Sequence, residues 1–153
     1  FSGICCLAMM LIISIPTMAG EVSNVLPKEP IAIVEDQHAE AESVVEYARG
    51  LLQGGECTIS VDGSKRVLIT ATTKGNRICS LIRTEMYLYK YIPSNGSIEM
   101  VGGPYRFATA NAAYGYASKV VSVPSTGYYL NFTIHTIGNE STTSQTDAVH
   151  VTY

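Results

Sequence analysis

The chain has 153 residues, with ten basic and thirteen acidic side chains and a formal net charge of -3, and it contains no Trp. That length suits one domain of ordinary size with appendages. Neither half has the basic density that binding a phosphate backbone requires, so nucleic acid is excluded as a partner class.

Charge is nevertheless unevenly divided. From Glu21 to Arg49 seven acidic residues face only Lys28 and Arg49, whereas from Gly54 onward six acidic residues face eight basic ones. The first twenty residues carry no charge, and the apolar run Ile4 to Ile15 ends at Pro16-Thr17-Met18-Ala19-Gly20. About twelve apolar residues are too few to cross a bilayer core of about 30 Å, but they suit the apolar region of a secretory signal cleaved after Ala19. Residues 1–19 therefore read as a signal peptide truncated at its start, without its Met and basic opening. Cys5 and Cys6 open the apolar run rather than follow it, which argues against lipid anchoring through them.

Residues 20–53 read as an acidic leader, partly helical. Glu21 to Pro30 has two prolines and no periodicity, so it is expected to be extended. Between Asp36 and Leu52 the positions Ala41, Val44, Val45, Ala48 and Leu51 follow helical spacing, with acidic residues early and Arg49 late, and Gly54-Gly55 would stop the helix. The charge asymmetry also admits a removable pro-segment covering the remainder.

Residues 54–153 are β in character. Expected strands are Cys57 to Val61, Arg66 to Thr72, Cys79 to Ile92, Ile98 to Val101, Tyr105 to Ala108 and Tyr114 to Val123, then a hairpin of Gly127 to Ile137 returning through Ser141 to Val151. Asp62-Gly63-Ser64, Lys74-Gly75-Asn76-Arg77, Pro93 to Ser97, Pro124 to Gly127 and Gly138-Asn139 supply turns. About seven strands at this spacing predict an all-β, antiparallel sandwich of the immunoglobulin-like or fibronectin-III-like kind. In an oxidising compartment Cys57 and Cys79 are the pair expected to form a disulfide, since the third strand would begin beside the first.

Two resemblances accompany these motifs. The segment Gly127-Tyr128-Tyr129-Leu130-Asn131-Phe132-Thr133-Ile134-His135-Thr136, with Gly138 and Ser141, resembles the last two strands of immunoglobulin-like and fibronectin type III domains, its leading Tyr resembling that of a tyrosine corner. Thr72-Thr73, the alternating strand Ile82 to Leu88, Lys119 to Val123, Gly127 to Tyr129 and His135 together resemble a group of small secreted proteins of Gram-positive Firmicutes. That resemblance implies export and carries over no functional residues.

The chemistry that remains is sparse. His38, His135 and His150 lack ligand spacing; His135 and His150 could face each other across the final hairpin, more readily as a surface pair than as a metal site. There is no Gly-x-Ser-x-Gly elbow, so a small hydrolase would have to assemble His135 or His150 with Asp147 or Asp62 and a serine. Tyr87, Tyr89 and Tyr91 on one strand face, with Tyr114 and Tyr116 on another, form aromatic rows that either contact a sugar or protein partner or pave an outer sheet face. Asn95, Asn131 and Asn139 open acceptor-like Asn-x-Ser/Thr triplets. The favoured expectation is an exported, non-catalytic binding or structural module without cofactor. Tyr87, Tyr89 and Tyr91 are its candidate contact face, and a cell-wall component or surface protein its candidate partner.

Overall fold

A computed structural model describes residues 26–28, 30–45 and 50–152. The expected signal peptide at 1–19, its cleavage point, and Cys5 and Cys6 lie outside the described residues, as do positions 46–49 of the expected helix. The strands are β1 (Ile33–Val34), β2 (His38–Val44), β3 (Leu52–Val61), β4 (Arg66–Ile92), β5 (Ser97–Ser122), β6 (Gly127–Ile137), β7 (Glu140–Gln145) and β8 (Ala148–Val151), all in one sheet. The all-β expectation holds, and the sheet curls into a nearly closed, barrel-like form.

Its frame is a long antiparallel ribbon. β4 pairs with β5 from Arg66↔Ser122 to Ile92↔Ser97. On its other edge β4 serves two partners in succession, β3 from Val67 to Gly75 and β6 from Ile82 to Tyr91. β2 extends the first half through β3, while β7, β8 and β1 extend the second half through β6. The halves then meet, β3 touching β6 and β7, and β2 reaching β7 and β8. Between them lie Cys57, Ile59, Val67, Ile69, Met86, Leu88, Tyr129 and Val149, all buried.

The ribbon turns at a register shift between Lys74 and Cys79. Asn111 adopts φ 52 on the facing strand, within the left-handed range Asn tolerates. Gly75 sits at this corner, where a Cβ would come within 3.2 Å of the Ala113 carbonyl and 3.0 Å of the Cys79 sulfur.

Several expectations are corrected here. Lys74 to Arg77 is not a turn: the predicted second and third strands are one strand, and β5 likewise runs through Gly102-Gly103-Pro104. The structure has no helix over Asp36–Val45. His38–Val44 pairs with β3 from His38↔Ser60 to Val44↔Gly54, with Ala39 buried and Glu40 and Glu42 exposed. That segment also alternates at period two, and pairing with a ready strand edge overrides the helix propensity of its Ala and Glu residues.

The expected disulfide is absent, and both Cys57 and Cys79 are free, buried thiols. Because β4 does not double back, the strand carries Cys79 away from Cys57. Cys57 lies opposite Ala71, and the β5 partners of Ala71 and Cys79 are Ala117 and Ala112. Five residues separate those partners, about 16 Å of strand, whereas a disulfide needs Cα atoms within about 7 Å. The two cysteines also belong to different apolar clusters. Addition of a reductant should therefore leave the thermal midpoint of the folded protein unchanged; a drop of several degrees would restore the disulfide.

Candidate functional site

β6 runs through the middle of the protein and is buried on both faces over much of its length. Its period-two alternation divides its side chains. Tyr129, Asn131, Thr133 and His135 enter the interior; Leu130 and Phe132 join an outer cluster with Tyr89, Ile31 and Ala148.

The inward row builds a sealed polar cluster. His135 is 0% exposed, and its ring spans the two halves of the sheet. Nδ1 lies 2.8 Å from Thr73 Oγ1, which lies 2.6 Å from Thr84 Oγ1, and Nε2 lies 2.7 Å from Ser144 Oγ. A neutral imidazole donates through one nitrogen and accepts through the other, so both neighbours suit it. The ring needs a gap in β3, and Gly55 provides it: a Cβ there would stand 2.3 Å from the ring. Asn131 ties the halves a second time, its Nδ2 donating to the Thr58 and Thr70 carbonyls at 2.9 and 3.0 Å and its Oδ1 accepting from Thr133. Among the described residues every buried side-chain nitrogen and oxygen has a partner.

Burial holds the His135 imidazole down at about 4, so it is neutral at physiological pH. Burial likewise pushes the Cys57 thiol up to about 11, partly offset by hydrogen bonds from Ser144, Thr133 and the Thr146 main chain. A thiol so raised is a poor nucleophile.

His135 and Ser144 are thus a histidine and a serine within hydrogen-bond distance. Thr73 occupies the place at Nδ1 where a hydrolase would set a carboxylate. Asp147 instead accepts from the Ala32 amide at 3.2 Å, and Asp62 faces Arg66. His150 does not face His135. It pairs with Tyr128 and packs on that ring at 5.0 Å, about 23 Å of strand from His135. No group of metal-ligating side chains assembles among the described residues.

The candidate contact face is largely covered. Tyr89 is 6% exposed, Tyr87 and Tyr91 are half-buried, and Tyr87 and Tyr89 pack on Phe132 with ring centroids 6.3 and 6.2 Å away. Burial, and then donation to the Glu85 carboxylate, push the Tyr87 phenol up to about 12. The row is closed because the stretch before β1 packs on it. Ile31 enters the cluster, and Lys28 exchanges two hydrogen bonds between its main chain and the Gln145 side chain.

The exposed aromatic row is the other one. Tyr114 is 60% exposed, Tyr116 64% and Val120 46%, all on the outward face of β5. Among the described residues β5 pairs with β4 alone. A cleft of about 370 Å³ lies at the β2–β3 pairing, where Lys74 bridges the Glu42 and Glu56 carboxylates.

No family model matches the chain, and no curated protein matches it. Among solved structures, a family 76 glycoside hydrolase from a bovine Bacteroides thetaiotaomicron strain aligns at a TM-score of 0.37 with 16% identity. The alignment covers 58% of this chain, which spans 18% of that protein. So shallow a likeness carries no functional argument.

Two outcomes follow for the polar cluster. As pH falls, the unfolded chain takes up a proton at the ordinary histidine value near 6.5, whereas folded His135 resists until about 4. Stability is therefore full above about 6.5 and declines by about 3 kcal/mol between there and 4. His135→Gln should flatten that decline in a pH series of denaturant titrations, and an unchanged slope would place the titration elsewhere. Gly55→Ala drives a methyl into a ring fixed at both nitrogens, and should lower stability by about 1–3 kcal/mol in the same assay.

Proposed function

We propose that the protein is an exported, non-catalytic β module acting outside the cell in a binding or structural role, with a cell-wall component or surface protein as its partner. The observation that carries this reading is the exposed row of Tyr114, Tyr116 and Val120 on the outward face of β5. Large aromatic area facing solvent favours contact with a sugar ring or a protein surface. The groups with reactive potential point the same way, since Cys57 and His135 are buried and hydrogen-bonded within the fold.

The immunoglobulin-like reading of the fold is part of this proposal, and one contact supports it. It is made by Tyr129 and not by the leading Tyr128, which packs on His150: the Tyr129 hydroxyl donates at 2.6 Å to the Ser125 carbonyl, four residues upstream, as the tyrosine of a tyrosine corner does. The unbroken β4 and β5 depart from the short strands of that family.

A small hydrolase is the second reading, and the 2.7 Å separation of His135 Nε2 and Ser144 Oγ favours it. Substrate would have to reach a serine that is 3% exposed. The removable acidic segment is the third. Cutting it off before Gly54 would strip β1 and β2 from the sheet, so the exported protein should begin near Gly20 when analysed by mass spectrometry; a start near Gly54 would favour the precursor.

The binding reading is tested by retention on cell-wall polysaccharide and surface-protein preparations. Tyr114→Ser combined with Tyr116→Ser should lose retention at least tenfold. Both side chains are exposed, so the change should leave stability within about 0.5 kcal/mol of wild type. Equal retention of variant and wild type would remove this face, and turnover of an ester substrate abolished by Ser144→Ala would replace the reading with the hydrolase.

A further inference from the structure

We infer that the outer edge of β5 pairs with the same edge of a second copy of this chain, two antiparallel strands meeting across a two-fold axis at Ser118. The inference rests on the binding role proposed for the Tyr114–Tyr116 face and names one partner for it.

An unpaired strand presents a row of free N–H and C=O groups, and monomeric proteins commonly blunt such edges with charge, proline, bulges or shortness. β5 from Tyr114 to Ser122 is neither short, bulged nor broken by proline, and a single charge is its one such device. It pairs with β4 without a register shift from Lys74↔Tyr114 to Arg66↔Ser122, so the edge is regular for nine residues. It contains no proline, and its one charge is Lys119. That ammonium is engaged within the subunit, 5.7 Å from the centroid of the Tyr105 ring. Ser118, Lys119 and Val120 are exposed in succession, so both faces of the strand are open here. β2, at the other end of the sheet, carries exposed Glu40 and Glu42 and is flanked by β7.

The sequence selects the register and the occupant. Centring the two-fold at Ser118 uses the regular run from end to end, with Tyr114 opposite Ser122 of the second copy. Tyr116 then lies opposite Val120 and Val120 opposite Tyr116, two aromatic–β-branched pairs on the outward face, which stabilise antiparallel strands. Lys119 falls opposite Ala117. Centring at Lys119 would instead set two ammonium groups against each other, which is unfavourable. The contact extends the sheet from one subunit into the next while leaving both cores unchanged. Nine residues from each copy make an interface at or below the small end of the specific range, about 1,200 Å² in total. Self-association is therefore expected at micromolar rather than nanomolar concentration.

A pair of single cysteines tests the register in the full chain, with Cys5 and Cys6 replaced by Ser. Ser118→Cys stands on the axis, where directly opposed Cα atoms are about 4.5–5.5 Å apart, within disulfide range. Ser122→Cys would stand about 26 Å from its own counterpart. Mild oxidation should give a covalent dimer from Ser118→Cys at least tenfold faster than from Ser122→Cys. In sedimentation velocity the unmodified chain should shift from monomer to dimer over the micromolar range, and Val120→Lys should shift that transition at least tenfold upward. A chain that stays monomeric at several hundred micromolar, or equal crosslinking of the two variants, overturns the inference. If Val120→Lys abolishes retention of the cell-surface partner while the unmodified chain stays monomeric, the edge accepts an extended segment of another protein, and the second copy is excluded. The binding role stands or falls separately, on retention by the Tyr114 and Tyr116 double variant.

Discussion

The fold depends on the continuity of β4 through the corner at Gly75. That one strand supplies hydrogen bonds to β3 in its first half, to β6 in its second, and to β5 along both. Every other pairing in the sheet reaches β4 through one of these three. The corner brings the two halves face to face and encloses the apolar interior. Gly75 allows it because the approaching Ala113 carbonyl and Cys79 sulfur leave little space for a side chain.

The closure is then fixed by polar contacts as well as apolar ones. Asn131 bonds to carbonyls of β3 and β4, and His135 bridges a threonine of β4 to a serine of β7. Buried polar groups are tolerable when each is satisfied, and a satisfied network favours one arrangement of the surrounding strands over its near alternatives. A slip of one residue in β6 would turn Asn131 and His135 to the outside and bring Leu130 and Phe132 in. The specificity of this interior lies in that register.

Much of the strand content was legible in the sequence. Gly127–Ile137 is a strand with the predicted limits, and Gly138, at φ 60, makes the turn expected after it. The turns at Asp62 to Ser64 and Pro93 to Ser97 are likewise where Gly63 and Gly96, with positive φ, require them. What was illegible was the fate of glycines inside strands. Gly75 and Gly103 carry the usual marks of a turn, yet here they accommodate close backbone approach in strands that continue. A turn at Gly75 underlies the expected disulfide, because a chain that doubled back there would return Cys79 to Cys57. His-Ala-Glu-Ala-Glu-Ser-Val satisfies both helical and strand periods, and only the presence of β3 decides between them. The polar cluster gave no sequence signal: its members lie far apart in the chain, and Thr and Ser are ordinary strand and turn residues.

The parallel pairing of β1 with β8 joins Ile33 to Ala148 near opposite ends of the described chain. Such closure sets an order of events. A polypeptide emerging from its amino terminus holds β1 without this partner until Ala148 and Val149 have been made. The pairings of β4 with β3 and β5 need only earlier residues, but the β1–β8 pairing waits for β8. Closure between β1 and β8 therefore waits on Ala148, and a chain cut short before that residue would leave β1 without the partner it has in the finished sheet.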